Sequence, residues 1–298
     1  MSVPGELLVQ YLLAGVVIGV LYGLMAMGIT FIYSIMKMIN WSMGEFYMIG
    51  SYLQYIVIAH FLGVRYWYLG IPVAMLLVAV LGVVVQRLLI KPMFERGIER
   101  KDEYATIVTI SLMLLFRSLA AVLGGPYQRS PGHYLSKVYI GPLALSGDRF
   151  AAFVGAVVIM LLFYILIKKT WIGIALQAAA QSRVGVQTAG INLFRLDQIA
   201  FGIGVALAAA AGALLAPVFL VYPTNGAVTT MKGFEIIIIG GLGSIPGAVI
   251  AGLLLGLVES LGAVFVAPGL QHAYGFLMLL LILVIRPTGL FGERERVA

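Results

Sequence analysis

Apolar residues fill this chain in long unbroken stretches, and charged residues return only in short clusters between them. A helix that crosses a bilayer needs roughly 20 apolar residues. The stretches that fit are 9–33, 44–62, 67–90, 105–123, 150–167, 196–222, 234–261 and 273–285. The pattern predicts an all-α, polytopic membrane protein with about eight such segments. Helices satisfy every backbone polar group within one segment. A barrel needs short alternating strands between turns, and this chain shows unbroken apolar runs instead.

Two of the segments are interrupted by glycine beside polar residues. The first is 38–50, with Asn40, Trp41, Ser42, Gly44, Glu45 and Tyr47. The second is 232–244, with Glu235, Gly240, Gly241, Gly243 and Ser244. In each, a Glu opens a five-residue step to Gly: Glu45 to Gly50 and Glu235 to Gly240. Corresponding broken segments in two halves of a membrane protein mark a transport pathway, and an inverted repeat is one reading of the pair. Plain headgroup-level caps, with each carboxylate at a helix N-terminus, are the other. Gly15, Gly19 and Gly23 recur every four residues, as do Gly252 and Gly256, and both sets predict faces for close helix packing.

Composition closes off the soluble alternatives. Hydrophobic residues make up 62% of the 298 positions and charged residues 10%, against about 25% in a typical globular domain. The formal charge of +7 sits between apolar runs. That placement suits contact with the lipid bilayer and not with nucleic acid, because no basic patch with interleaved aromatics is present. There is no cysteine, and His60, His133 and His272 form no metal-binding spacing. No metal and no cofactor is expected. The N-terminus lacks a basic region, and its first apolar run is too long for a signal peptide, so the run is expected to stay attached.

Basic residues set orientation. The loop 91–103 carries Lys91, Arg96, Arg100 and Lys101, and the loop 168–195 carries Lys168, Lys169, Arg183 and Arg195 with no acid. Both are expected in the cytoplasm, with 1–124 an N-terminal half, 124–149 an external loop bearing Arg129, Lys137 and Arg149, and 196–286 a C-terminal half. Counting spans then puts the C-terminus outside, although Arg286, Arg294 and Arg296 argue for inside. The glycine-rich run 234–261 is the segment that would resolve the conflict, by re-entering or by crossing once more.

Within the cytoplasmic loop, residues 175–183 form a short helix former between glycines, suited to docking into a cleft or to lying on headgroups. No phosphate-cradling Gly-x-x-x-x-Gly-Lys-Ser/Thr loop and no hydrolytic triad exist, so the chain is not expected to be an enzyme. If transport is ATP-driven, separate subunits hydrolyse the ATP.

Four stretches carry a family resemblance: MINWSMGEFYMIGSYL (38–53), AGINLFRLDQIAFGIGVALAAAAGALLAP (189–217), KGFEIIIIGGLGSIPGAVIAGLLLGLVES (232–260) and RPTGLFG (286–292). In this order they resemble the permease subunits of bacterial ABC importers for branched-chain amino acids, of the LivH type. The likeness covers nearly the whole chain. Trp41, Ser42 and Met43 depart from the family's usual Asn-Phe-Ala-His-Gly-Glu, while Asn40, Gly44 and Glu45 match it. The docking loop departs as well, at Ser182, Arg183 and Val184.

The resemblance implies a bacterial inner-membrane location and a set of partners. These are a second homologous permease, two ABC ATPase subunits and a periplasmic binding protein that delivers leucine, isoleucine or valine. It also implies that the loop bearing Gln177, Ala178, Gln181, Arg183, Gly185, Gly190 and Asn192 couples to the ATPases. The pathway is expected between 40–47 and 234–244, with Glu45 facing the substrate ammonium. Urea or short amides as substrate, and a stand-alone secondary transporter, remain the alternatives; a channel is disfavoured because no ring-forming filter signature appears.

Overall fold

The computed structural model describes residues 5–95, 98–136, 138–140 and 143–292. Arg96, Lys137, Arg294 and Arg296, which enter the charge argument above, lie outside the described residues. The helices are α1 (Gly5–Met36), α2 (Met43–Val57), α3 (Trp67–Val85), α4 (Lys91–Glu95), α5 (Lys101–Gly124), α6 (Gly147–Lys169), α7 (Trp171–Gln181), α8 (Arg183–Thr188), α9 (Leu193–Leu215), α10 (Asn225–Gly240), α11 (Ile245–Phe265) and α12 (Gln271–Ile285). A two-stranded antiparallel hairpin, β1 (Val138–Ile140) and β2 (Leu143–Leu145), sits in the loop before α6. Among the described residues, six helical segments are long and apolar enough to cross a bilayer, and α12 is a shorter apolar helix.

The core is built on small residues. Lipid gives helices no hydrophobic reason to associate, so close backbone approach supplies the packing. α1 lies antiparallel on α11: Gly15 meets Gly256 and Ser260, Gly19 meets Gly252 and Leu253, and Gly23 meets Val249. A methyl group added at Gly19 would come within 2.8 Å of the Leu253 Cα. The other face of α1 crosses α9, which is buried along most of its length by alanines and glycines from Ala200 to Ala213.

Two of the apolar stretches resolve differently from their linear reading. The run 234–261 is two helices, α10 and α11, reversed by the turn at Gly241 (φ 97°) and Gly243 (φ 87°). The reversal falls in the segment that the charge rule singled out. The tail 289–292 folds back on the end of α10, where Leu290 N donates to Ile239 O (2.8 Å) and Phe291 N to Gly240 O (3.0 Å). That turn lies against Tyr33 and Ser34 at the end of α1, beside the loop that carries Arg183. Residues 287–292 therefore share the face of the two basic loops.

The second difference is at the start of α2. The helix runs on from Val57 through the five-residue π-helical stretch Ile58–Leu62, so its far end matches the predicted stretch 44–62. The chain enters it through the non-helical segment 37–42, which begins at Lys37, with φ 53°.

The helix contacts are those that an inverted repeat would make. α1 and α9 cross reciprocally: Gly28 meets Gly204 and Leu207, and Gly204 meets Gly28 and Ile32. α2 and α10 do the same at Gly44 and Gly226, each the second residue of its helix. α11 lies on α1, and α3 lies on α9, where Gly82 meets Val205 and Gly202 meets Val83. The Glu-to-Gly steps are not equivalent in this repeat, however. Glu45 stands in the first turn of α2 and Glu235 in the second half of α10.

Candidate functional site

The middle of the bundle is the crossing of α2 and α10. As α2 runs from Gly44 to Ser51, its contacts on α10 run back from Thr230 to Asn225. The two N-terminal halves overlap antiparallel, with each backbone against the other at Gly44 and Gly226. A side chain at either glycine would drive into the opposing carbonyl.

The turn into α2 is held by Asn40, whose Oδ1 accepts from Ser42 N (3.0 Å) and Ser42 Oγ (2.7 Å). Both side chains are buried, so they shape the turn. That turn leaves Trp41 pointing out, 37% exposed, with its ring 4.8 Å from that of Phe234 on α10. Beyond Phe234, the open face of α10 continues through Met231, 62% exposed, and Val228. The spacing 228, 231, 234 follows one helical stripe. Together with Trp41 these residues make an apolar wall without a partner among the described residues.

Other candidates land elsewhere. Glu45 is fully buried and paired with Arg117 of α5, with Nη2 to Oε1 at 3.1 Å. Tyr47 is buried and packs its backbone against Gly212. Glu235 sits in an ion cluster with Lys232 and Glu259. Gly240, Gly241 and Gly243 build the α10–α11 turn, and Ser244 caps α11 by accepting from Gly247 N (3.1 Å). They lie at the basic face and not beside Trp41.

The coupling loop divides into fixed and free residues. Gln177 Nε2 donates to Ile167 O (2.6 Å), and Asn192 caps α9 by accepting from Arg195 N (3.2 Å). Ala178 is half-buried, and Gly190 makes its turn at φ 79°. Gln181, Val184 and Gly185 are exposed. Arg183 points inward. Its guanidinium makes two bonds to the buried Asp197 of α9 (3.0 and 2.7 Å), donates to Ile35 O of α1 (3.0 Å), and lies 4.7 Å from the Phe94 ring centroid of α4. One side chain thus ties the loop to three other helices.

Sequence reasoning passed over Arg117, Asp197, Lys232 and Glu259. Their signal was present, because a charge inside an apolar run is costly and needs a partner. Arg117 and Glu259 each stand within a predicted span.

Glycine-lined helices that cross inside a multi-pass bundle are the architecture of a membrane transport permease. The chain belongs to the family described as branched-chain amino acid transport system / permease component, whose profile matches residues 11–285. It is 31% identical to the high-affinity branched-chain amino acid transport system permease protein LivH of Escherichia coli K12, over 96% of both chains. It is 30% identical to the corresponding permease BraD of Pseudomonas aeruginosa, again over 96% of both. A probable branched-chain amino acid permease LivH of Methanocaldococcus jannaschii is 29% identical, over 90% of this chain and 88% of that one. No solved structure matches the chain.

Proposed function

We propose that this chain is one half of the membrane pathway of an ATP-driven importer of branched-chain amino acids in a bacterial inner membrane. Its partners are a second homologous permease, two ATPase subunits on the basic face, and a periplasmic protein that delivers leucine, isoleucine or valine. The observation that carries this reading is the open wall of Trp41, Phe234, Met231 and Val228 beside the α2–α10 crossing. An aliphatic side chain gains from such a wall, whereas urea or a short amide would leave its polar groups unpaired there. The second permease covers the wall from the other side. Glu45 is bonded through Oε1 to Arg117, so it holds α2 to α5.

Coupling runs through the 177–192 loop. The exposed Gln181, Val184 and Gly185 dock on an ATPase, and Arg183 passes their movement to α1 and α9. The end of α1 leads directly into 37–42 and so to Trp41.

Affinity purification from native membranes, followed by mass spectrometry, tests the assembly. Two ATPases and a second permease are expected with the tagged chain. Recovery of the chain alone, under conditions that preserve known complexes, would favour the stand-alone transporter. With the complex in proteoliposomes, Trp41→Ala is expected to lower leucine uptake about tenfold, the scale of one lost apolar contact. Equal uptake by Trp41→Ala and wild type would remove the wall from the pathway. Arg183→Gln is expected to retain ATP hydrolysis and ATPase co-purification while uptake falls by roughly tenfold, one 1.4 kcal/mol step. Uptake and hydrolysis falling in parallel would contradict the linkage.

A further inference from the structure

Four helices converge on a charged cluster that the transport reading does not use. Lys232 and Glu235 come from α10, Glu259 from α11 and Tyr22 from α1, while Gly275 of α12 closes the remaining side. Lys232 and Glu235 are 3% exposed and Glu259 1%. Lys232 Nζ donates to Glu235 Oε2 at 3.0 Å and also to Glu259 Oε1. Tyr22 Oη donates to Glu259 Oε2 at 3.2 Å. A Cβ on Gly275 would come within 2.6 Å of Glu235 Oε2 and 2.9 Å of Lys232 Nζ, so α12 fits directly over the pair. The ring of Phe276 faces the ammonium at 6.0 Å, and His272 lies further along the same helix.

The charges do not balance. One ammonium faces two carboxylates, which leaves one negative charge inside a membrane protein's interior. Two carboxylates that share one site cannot both ionise readily, and a buried uncompensated charge neutralises itself. The hydrogen bonds show which one does. Glu259 receives a donor on each oxygen, which favours its ionised form. Glu235 receives one, and its buried Oε1 has no partner.

We infer that this cluster is a proton-binding site, with Glu259 ionised against Lys232 and the proton carried by Glu235. Glu235 is aimed into the seam between α10 and α12, so that proton is kept from water by Gly275 and Phe276. A carboxyl that keeps its proton in the fold and loses it on unfolding stabilises the protein at low pH. That stability is lost as pH rises through the value at which the folded carboxyl ionises.

The test uses the full chain in lipid nanodiscs, with wild type beside Glu235→Gln and Glu259→Gln. Infrared difference spectra of the wild type at neutral pH are expected to contain a protonated-carboxyl band that Glu235→Gln lacks. The melting temperature of the wild type is expected to fall as pH rises above neutral. Glu235→Gln, the neutral mimic, should melt close to the wild type at neutral pH and lose that fall. Glu259→Gln should melt well below both. A band that survives Glu235→Gln, or a wild type and Glu235→Gln with the same pH dependence, overturns the assignment. Sodium that raises the wild-type melting temperature at fixed pH, and not that of Glu235→Gln, overturns it in favour of a bound cation.

Discussion

Gly44→Val is expected to yield no folded protein in detergent extracts, as is Gly226→Val. The two glycines stand backbone to backbone where α2 and α10 cross, and a side chain on either meets the carbonyl of the other. Gly44 also faces Thr230 Oγ1, which is held to Gly226 O at 2.9 Å and cannot swing away freely. Overpacking a well-filled core costs about 1–3 kcal/mol when side chains can adjust. Here the obstacle is backbone of two helices, α2 packed on α9 and α10 on α11, so the cost lies above that range. Fluorescence-detected size exclusion reads the result as loss of the monodisperse peak. Gly63→Val serves as control, since nothing lies within 4 Å of a Cβ there, although its φ of 68° adds local strain. A monodisperse Gly44→Val protein would mean that the crossing is looser than described.

Lys232→Met is the most damaging single change among the buried charges. It leaves Glu235 and Glu259 side by side without their shared cation. Removing one partner of a buried ion pair costs about 3–5 kcal/mol, and here the ionised Glu259 loses its cation while Glu235 loses a hydrogen-bond donor. Methionine keeps the length and apolar stem of lysine, so the loss reports charge more than volume. Thermal melting in nanodiscs is expected to drop sharply and to recover in part in the double variant Lys232→Met with Glu259→Gln, which is no longer forced to bury a charge. No recovery would assign the loss to packing against Phe276 and Gly275.

Much of this was legible in the chain itself. Apolar length alone marked the membrane class, and the Gly15, Gly19, Gly23 and Gly252, Gly256 spacings named the faces that pack α1 on α11. Glycine also marked both broken segments. The glycines of 234–261 marked that run as one that re-enters or crosses again, but the exact turn at 241–244 was not legible, because two helices and a short turn that are all apolar read as a single run. The register of the repeat was hidden for a related reason. A Glu-to-Gly spacing aligns easily in apolar sequence, while the true equivalents, Gly44 and Gly226, differ in their neighbours. Glu45 could not be assigned a role from its surroundings, since Arg117 is 72 positions away. Arg183 looked like a docking contact because it stands in an exposed loop, and only the fold reveals Asp197 and Ile35 beneath it.

The absence of cysteine from the chain opens the most direct test of the pathway. Single cysteines are placed at Trp41 and Met231 on the wall, and at Leu115 on the apolar outer face of α5. The assembled importer in proteoliposomes is then treated with a membrane-impermeant thiol reagent during ATP turnover. The wall cysteines are expected to react, to be protected by leucine and to lose uptake on modification, while the Leu115 position stays unreactive. Wall cysteines as inert as Leu115→Cys, with uptake intact after treatment, would place Trp41 and Met231 against lipid and contradict the account.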